Sequence, residues 1–197
     1  MGHPQVSEQK YSVAEYLQME EESEIRHEYY DGDIYAMAGT TMNHNRIVGK
    51  IRNLLERNFL PAGCDVFAEN VKVEVIPNFY YPYPDVIVTC SADDINGTYI
   101  VKEPTILVEV LSKSSASYDR EFKLRRYKSI PSLQYYLLVS QNEYYVELFT
   151  RTEQKDIWTY QTFDNVNDVI RFERMNFEMQ VSLIYENIKF ITEEETV

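Results

Sequence analysis

Glu109 stands inside Ile106-Leu107-Val108-Glu109-Val110-Leu111, a run that otherwise reads as a central strand. A carboxylate held there without a partner costs several kcal/mol, or else takes up a proton. Folding gains nothing from it, so a partner is expected: a metal ion, a lysine or an arginine. A strand end opening on solvent would make the same glutamate harmless. Asp85 shifts the balance, because it follows Pro84 directly and opens a second apolar run, Val86-Ile87-Val88. An aspartate after proline is common in turns, but two carboxylates from neighbouring strand ends are also the hard oxygen ligands that Mg²⁺ prefers. Mg²⁺ held there, or Mn²⁺ in its place, would lower the pKa of a water, hold a scissile phosphate and stabilise the charge that develops on cleavage. Jointly the two carboxylates favour the metal site. A carboxylate pair working as acid and base on a sugar is the other chemistry they allow, and nothing else in the sequence supports it.

Pro84-Asp85, followed 24 residues later by Glu109, resembles the core of the PD-(D/E)XK nuclease superfamily. The finer resemblance is to the Uma2 family of restriction endonucleases. It runs through Tyr11-Ser12-Val13-Ala14-Glu15-Tyr16, Glu28-Tyr29-Tyr30-Asp31-Gly32-Asp33, Asn43-His44, Pro84-Asp85-Val86 and Val108-Glu109-Val110-Leu111-Ser112, then Asp119, Lys123 and Tyr127. It therefore covers roughly Tyr11 to Val139. No one piece is specific, but all of them in this order are. The resemblance implies a restriction-endonuclease-like fold and Mg²⁺-dependent cleavage of DNA.

The chain departs from the superfamily pattern at Leu111, which occupies the place of the lysine expected two residues after the glutamate. Without a cation, the site would lack the group that orients the water or neutralises the transition state. Lys113 lies beyond the strand. Lys123 is the better candidate, because Asp119, Lys123 and Tyr127 fall on one helical stripe by their four-residue spacing. The resemblance also implies an acid near the metal at Glu28, at the start of a hairpin, where a surface glutamate is the plainer alternative. His44 is a possible accessory residue. It falls at helical spacing with Ile47 and Ile51, which equally suits a satisfied histidine near the core.

The elements that must position these residues are legible in outline. Ser12-Val13-Ala14-Glu15 is a capping box, so a helix is expected from Val13 to about Glu20. Glu20–Glu24 reads as solvated acidic surface. Asp31-Gly32 supplies the positive φ angles of a tight hairpin within Tyr29–Tyr35. Ile47, Ile51, Leu54, Leu55 and Phe59 define an amphipathic helix over Asn43–Phe59, ended by Pro61-Ala62-Gly63. Val71, Val73 and Val75 alternate with Lys72 and Glu74, the pattern of a strand with one wet face. Asp85–Val88, Thr105–Leu111 and Tyr135–Val139 read as buried strands, Asp119–Lys128 as a second helix, and Tyr144–Phe149, Ile157–Phe163 and Val169–Phe177 as an antiparallel meander. The expected fold is α/β: a mixed central sheet flanked by helices, with additional antiparallel strands at the C-terminus. No linker or repeat divides the chain. Residues 1–197 are expected to form a single domain, with a core over about 11–140 and a β-rich extension over about 141–192.

Composition narrows the setting. At 44% hydrophobic and 26% charged, the chain is ordinary globular material, and seventeen tyrosines suit pleated surfaces. No apolar run approaches membrane-spanning length, and Met1–Tyr11 lacks the apolar core of a signal peptide. Cys64 and Cys90 alone make no disulfide framework and no zinc spacing, which points to a reducing cytoplasm. The net charge of −13 opposes DNA binding, yet Asn43–Phe59 carries a net +3 and Lys113–Lys128 a net +4. Those two segments could form a local face for an anionic substrate, or simply the wet sides of two helices. The leading expectation is a DNA endonuclease, with a homodimer as the economical way to cut both strands. The alternative is a nuclease-fold module that docks nucleic acid or protein with little or no catalysis.

Overall fold

The computed structural model describes residues 10–37, 39–113, 115–154 and 156–190. Helix α1 (Val13–Glu22) opens on the capping box: the Ser12 hydroxyl accepts from the Glu15 backbone N–H while the Glu15 carboxylate accepts from the Ser12 N–H at 2.7 Å. Strands β1 (His27–Tyr30) and β2 (Asp33–Ala36) form the hairpin, with Asp31 and Gly32 at φ 48° and 85° in the left-handed region. Helix α2 (Met42–Phe59) begins one residue earlier than expected, because Thr41 caps it by accepting from the His44 N–H. It buries Ile47, Val48, Ile51, Leu55 and Phe59, whereas Leu54 is only partly covered. Gly63, at φ 81°, ends the short turn that follows.

The remaining elements build the sheets. They are β3 (Asp65–Ala68), β4 (Lys72–Val73), β5 (Tyr80–Tyr81), β6 (Val86–Thr89), α3 (Ala92–Ile95), β7 (Ile100–Val101) and β8 (Pro104–Leu111). A helical segment follows in three pieces: α4 (Ala116–Tyr118), a π-helical turn (Asp119–Lys123) and α5 (Leu124–Tyr127). Then come β9 (Tyr135–Ser140), β10 (Val146–Arg151), β11 (Trp158–Phe163), β12 (Val169–Phe172), β13 (Phe177–Gln180) and α6 (Val181–Ile184). The main sheet has the order β11-β10-β9-β8-β6-β3 and is antiparallel throughout except for β8 beside β9. That parallel pair needs a crossover, which the α4–α5 segment supplies. The architecture is the mixed sheet between helices that the sequence predicts.

Central strand β8 is covered on both sides, which explains its unbroken apolar character. Ile106, Val108 and Val110 join the core beneath α2, while Leu107 and Leu111 join the core beneath the crossover helix with Tyr127 and Tyr136. Glu109 shares the parity of this second set.

Four sequence expectations are corrected. Glu20 is buried rather than solvated: its carboxylate accepts from the His27 N–H at 3.1 Å, contacts His27 Nδ1 at 2.8 Å and accepts from the Tyr83 hydroxyl at 2.6 Å. The Val71–Val75 stretch yields only β4, and Lys72 is covered because its ammonium lies over the rings of Tyr16 and Tyr83. Val169–Phe177 is not one strand. Asn176 at φ 48° turns the chain so that β12 and β13 make a hairpin of their own, and its Ile170, Phe172 and Met179 pack into the core beneath α2. Finally, Cys64 and Cys90 are joined as a disulfide. The β3–β6 register, with Asp65 opposite Thr89, places them across from each other at the next step. The compartment inferred from unpaired cysteines loses that support. Among the described residues, no helix is long and apolar enough to cross a membrane.

Glu20→Ala should therefore leave the buried Tyr83 hydroxyl and the half-buried His27 N–H without an acceptor, and remove the contact to His27 Nδ1. Stranding such groups costs about 1–3 kcal/mol each, partly recovered by water, so a loss of about 2–4 kcal/mol in urea unfolding is expected. A solvated Glu20 would give a change near zero.

Candidate active site

Asp85 lies one residue before β6. Continuing the register in which Val86 faces Val108 sets Asp85 opposite Glu109, and directly opposed residues share a face. The Asp85 carboxylate accepts from the Val110 N–H at 2.6 Å, which ties it to the neighbouring strand. It also lies 3.2 Å from His44 Nε2 on the first turn of α2. Burial alone would lower the His44 pKa, but the Asp85 hydrogen bond and charge outweigh it and hold the ring above its ordinary range. His44 Nδ1 is buried with no hydrogen-bond partner among the described residues.

Glu109 is 4% exposed, and its carboxylate accepts from the Lys123 ammonium at 3.0 Å and from the Tyr127 hydroxyl at 2.8 Å. The same ammonium lies 3.4 Å from Glu28 and 3.4 Å from Asp119. One buried cation is thus shared by three carboxylates, with Asp85 close enough to be felt by Glu109 and Asp119. Burial pushes the Glu109 carboxyl well above its usual range; Lys123 opposes this, and Asp119, Asp85 and Glu28 add to it. Lys123 stays charged well beyond the ordinary lysine value because Glu109, Glu28, Tyr127 and Asp119 outweigh its burial. Lys113, by contrast, is exposed.

The side chains come from several elements of the fold. Glu28 sits on β1, and its carboxylate accepts from the Tyr83 backbone N–H at 3.4 Å. Asp119 and Lys123 bracket the π turn, a widened turn that often marks functional sites. The Asp119-Lys123-Tyr127 stripe does face Glu109, although the helix is not regular there. Asp119 belongs among the site carboxylates, and the four-residue stripe was the signal for it. Nothing local in the sequence announces the π turn. Burial pushes the Tyr80 hydroxyl well above its usual range, with Glu28 and Lys123 as its strongest charged neighbours.

Asp85, Glu109, Glu28 and Asp119 are hard oxygen donors whose negative charge exceeds that of Lys123 and His44 combined, so the donor set suits Mg²⁺ or Mn²⁺. As the side chains stand, among the described residues no three His, Cys, Asp or Glu converge as an ion requires. The carboxylates turn to Lys123 or, for Asp85, to His44 and the backbone.

Several cations of the two basic segments are engaged within the fold. Arg120 pairs with the buried Glu147 at 2.6 Å, and Arg126 donates to the Tyr30 hydroxyl at 2.7 Å while lying over the Tyr30 and Phe122 rings. Lys50 pairs with Glu186, and Arg52 with Glu56. Arg46 remains at the surface, lining a shallow cavity of about 450 Å³ with Thr40, Thr41, Met42 and Asn45 at the start of α2.

Removing the Lys123 charge exposes the electrostatics of the cluster. A buried pair broken on one side costs about 3–5 kcal/mol, so Lys123→Met should be strongly destabilised at neutral pH rather than merely inactive. The sign with pH is fixed by Glu109: its folded pKa is raised, so the ionised form is disfavoured in the fold and stability falls as pH rises above the unfolded value near 4.5. The Lys123→Met penalty should therefore be smallest in acid and grow toward neutral pH in urea titrations. Adding Glu109→Gln should restore most of the loss, and a pH-independent penalty would contradict this account.

The Uma2 family, described as "Putative restriction endonuclease", matches residues 13–182. The chain is 35% identical to the uncharacterized protein slr1290 of Synechocystis over 183 residues, covering 92% of this chain and 94% of that protein. It is 32% identical to the uncharacterized protein sll1609 of the same organism over 166 residues, covering 83% of this chain and 93% of that protein. In fold it is similar to the crystal structure of a putative nuclease belonging to DUF820 from Anabaena variabilis. That similarity has a TM-score of 0.71 at 16% identity, covering 89% of this chain and 97% of that one. The family match spans most of the chain, and the relatives align over nearly their whole length: the chain belongs to the Uma2 family.

Proposed function

We propose that this protein is a metal-dependent endonuclease that hydrolyses DNA phosphodiester bonds. The observation that carries the reading is the buried Lys123 ammonium, within 3.4 Å of Glu109, Glu28 and Asp119, with Asp85 set opposite Glu109 by the strand register. Structural ion pairs do not need so many acids around one cation. Such an excess of carboxylate favours a second, divalent positive charge.

Asp85, Glu109 and Glu28 are the residues that would hold Mg²⁺, with Mn²⁺ as a substitute. When bound, the ion would supply Lewis acidity toward a phosphate oxygen and acidify a water. The protein's own groups do the rest. The Val110 N–H and His44 fix the Asp85 carboxylate, and Tyr127 fixes that of Glu109. Lys123 keeps its proton and can donate hydrogen bonds to the attacking water or to a phosphate oxygen, where negative charge builds up.

The rival reading, a nuclease-fold module that docks without cutting, is favoured by the engagement of Arg120, Arg126, Lys50 and Arg52 within the fold. A plasmid nicking assay separates the two. With Mg²⁺ or Mn²⁺ the wild type should nick supercoiled DNA, and Asp85→Ala should lower the rate by about 100-fold or more while remaining folded. Intact plasmid with retained DNA binding would favour the docking module.

Ion binding should also carry a proton signature. A ligand carboxyl held protonated must release its proton when a cation binds. Because the Glu109 pKa is raised, affinity for Mg²⁺ should increase as pH rises from the ordinary carboxylate range toward neutrality. Calorimetry in buffers of different ionisation enthalpy should detect the released proton, and Glu109→Gln should abolish it. Affinity that stays flat with pH would remove Glu109 from the proposed ligand set.

A further inference from the structure

β11 ends the main sheet: it pairs with β10 on one side, and among the described residues no strand pairs with its other edge. An edge of this kind offers a row of unpaired N–H and C=O groups, which proteins usually protect with lysine, proline, a bulge or a cover. Trp158-Thr159-Tyr160-Gln161-Thr162-Phe163 has no charged residue, no proline and an unbroken register with β10. Thr159, Tyr160, Gln161 and Thr162 are all exposed. In a chain of net charge −13, an uncharged, strand-forming edge is where two copies can meet without bringing acids together.

We propose that β11 pairs antiparallel with β11 of a second copy, about a two-fold axis through Gln161, so that the two main sheets become continuous. A two-fold axis perpendicular to the sheet keeps like faces together and must pass through a residue position. With Gln161 on the axis, Tyr160 faces Thr162 and Thr159 faces Phe163 of the second copy, both aromatic with β-branched pairs of the kind that stabilise sheets. The next step places Asp164 of the second copy opposite Trp158. The Trp158 ring carries the Arg151 guanidinium at 4.6 Å and the Lys128 ammonium at 5.9 Å, so the acid arrives beside two cations. An axis through Tyr160 would instead set Asp164 against Asp156. Charge complementarity therefore selects the Gln161 register.

The test is the mass of the full-length protein in solution at micromolar concentration, by light scattering or sedimentation equilibrium. The wild type should have twice the chain mass of 23.3 kDa. Gln161→Lys and Gln161→Glu each place like charges on the axis, and each should weaken association by at least about ten-fold while keeping the wild-type far-UV circular dichroism, since the position is exposed. Mixing the two variants should restore the dimer, because lysine then faces glutamate across the axis. A wild type at single-chain mass, a Gln161→Lys dimer of undiminished stability, or a mixture that stays monomeric would each overturn the proposal. None of these readouts depends on cleavage, so the interface and the nuclease reading fail separately.

Discussion

A buried ammonium among carboxylates is the interaction on which the rest of the site depends. Glu109 sits inside a central strand covered on both faces, where an ionised acid is tolerated only if a charge of opposite sign comes with it. Lys123 supplies that charge and at the same time lies within 3.4 Å of Glu28 and Asp119. Three elements distant in sequence, the first hairpin, the central strand and the crossover helix, are therefore coupled through one nitrogen. The same coupling leaves the site with an excess of negative charge, which is the electrostatic ground for expecting a divalent cation.

Holding that nitrogen in place takes most of the surrounding architecture. The parallel β8–β9 pair demands a crossover, and the crossover helix lies over the face of the sheet that carries Glu109. Its π turn brings Asp119 and Lys123 inward, and Tyr127 one turn later reaches the same carboxylate. On the opposite face, α2 provides the apolar cover and presents His44 to Asp85 at the strand end. The C-terminal hairpin completes this second core rather than standing apart, since Ile170, Phe172 and Met179 belong to it.

A second polar cluster stands behind the first. Tyr83 joins the two: its backbone N–H donates to Glu28 while its hydroxyl donates to Glu20, which also holds His27. Lys72 lies over Tyr83 and Tyr16, and burial lowers its pKa. In the two basic segments, ion pairs occupy Arg120, Lys50 and Arg52, while Arg57, Lys113 and Arg125 stay exposed.

Local pattern in the chain was enough for some features. The capping box, the Asp31-Gly32 turn, the apolar stripe of α2 and the apolar runs of β6, β8 and β9 all follow from short-range rules of burial and backbone geometry, and each lies where those rules put it. The sequence also showed that Glu109 needed a partner, because a carboxylate in a buried run is conspicuous whatever the fold. Only the tertiary structure decided which partners meet. Glu20 looked solvated within an acidic stretch until Tyr83, 63 residues away, closed over it. Cys64 and Cys90 looked unrelated until the β3–β6 register set them opposite each other. Asp119 entered the site through a π turn that no local signal marks. In each case the deciding contact spans strands or layers, and its free energy depends on register and crossover, quantities that a one-dimensional pattern of polar and apolar residues does not contain.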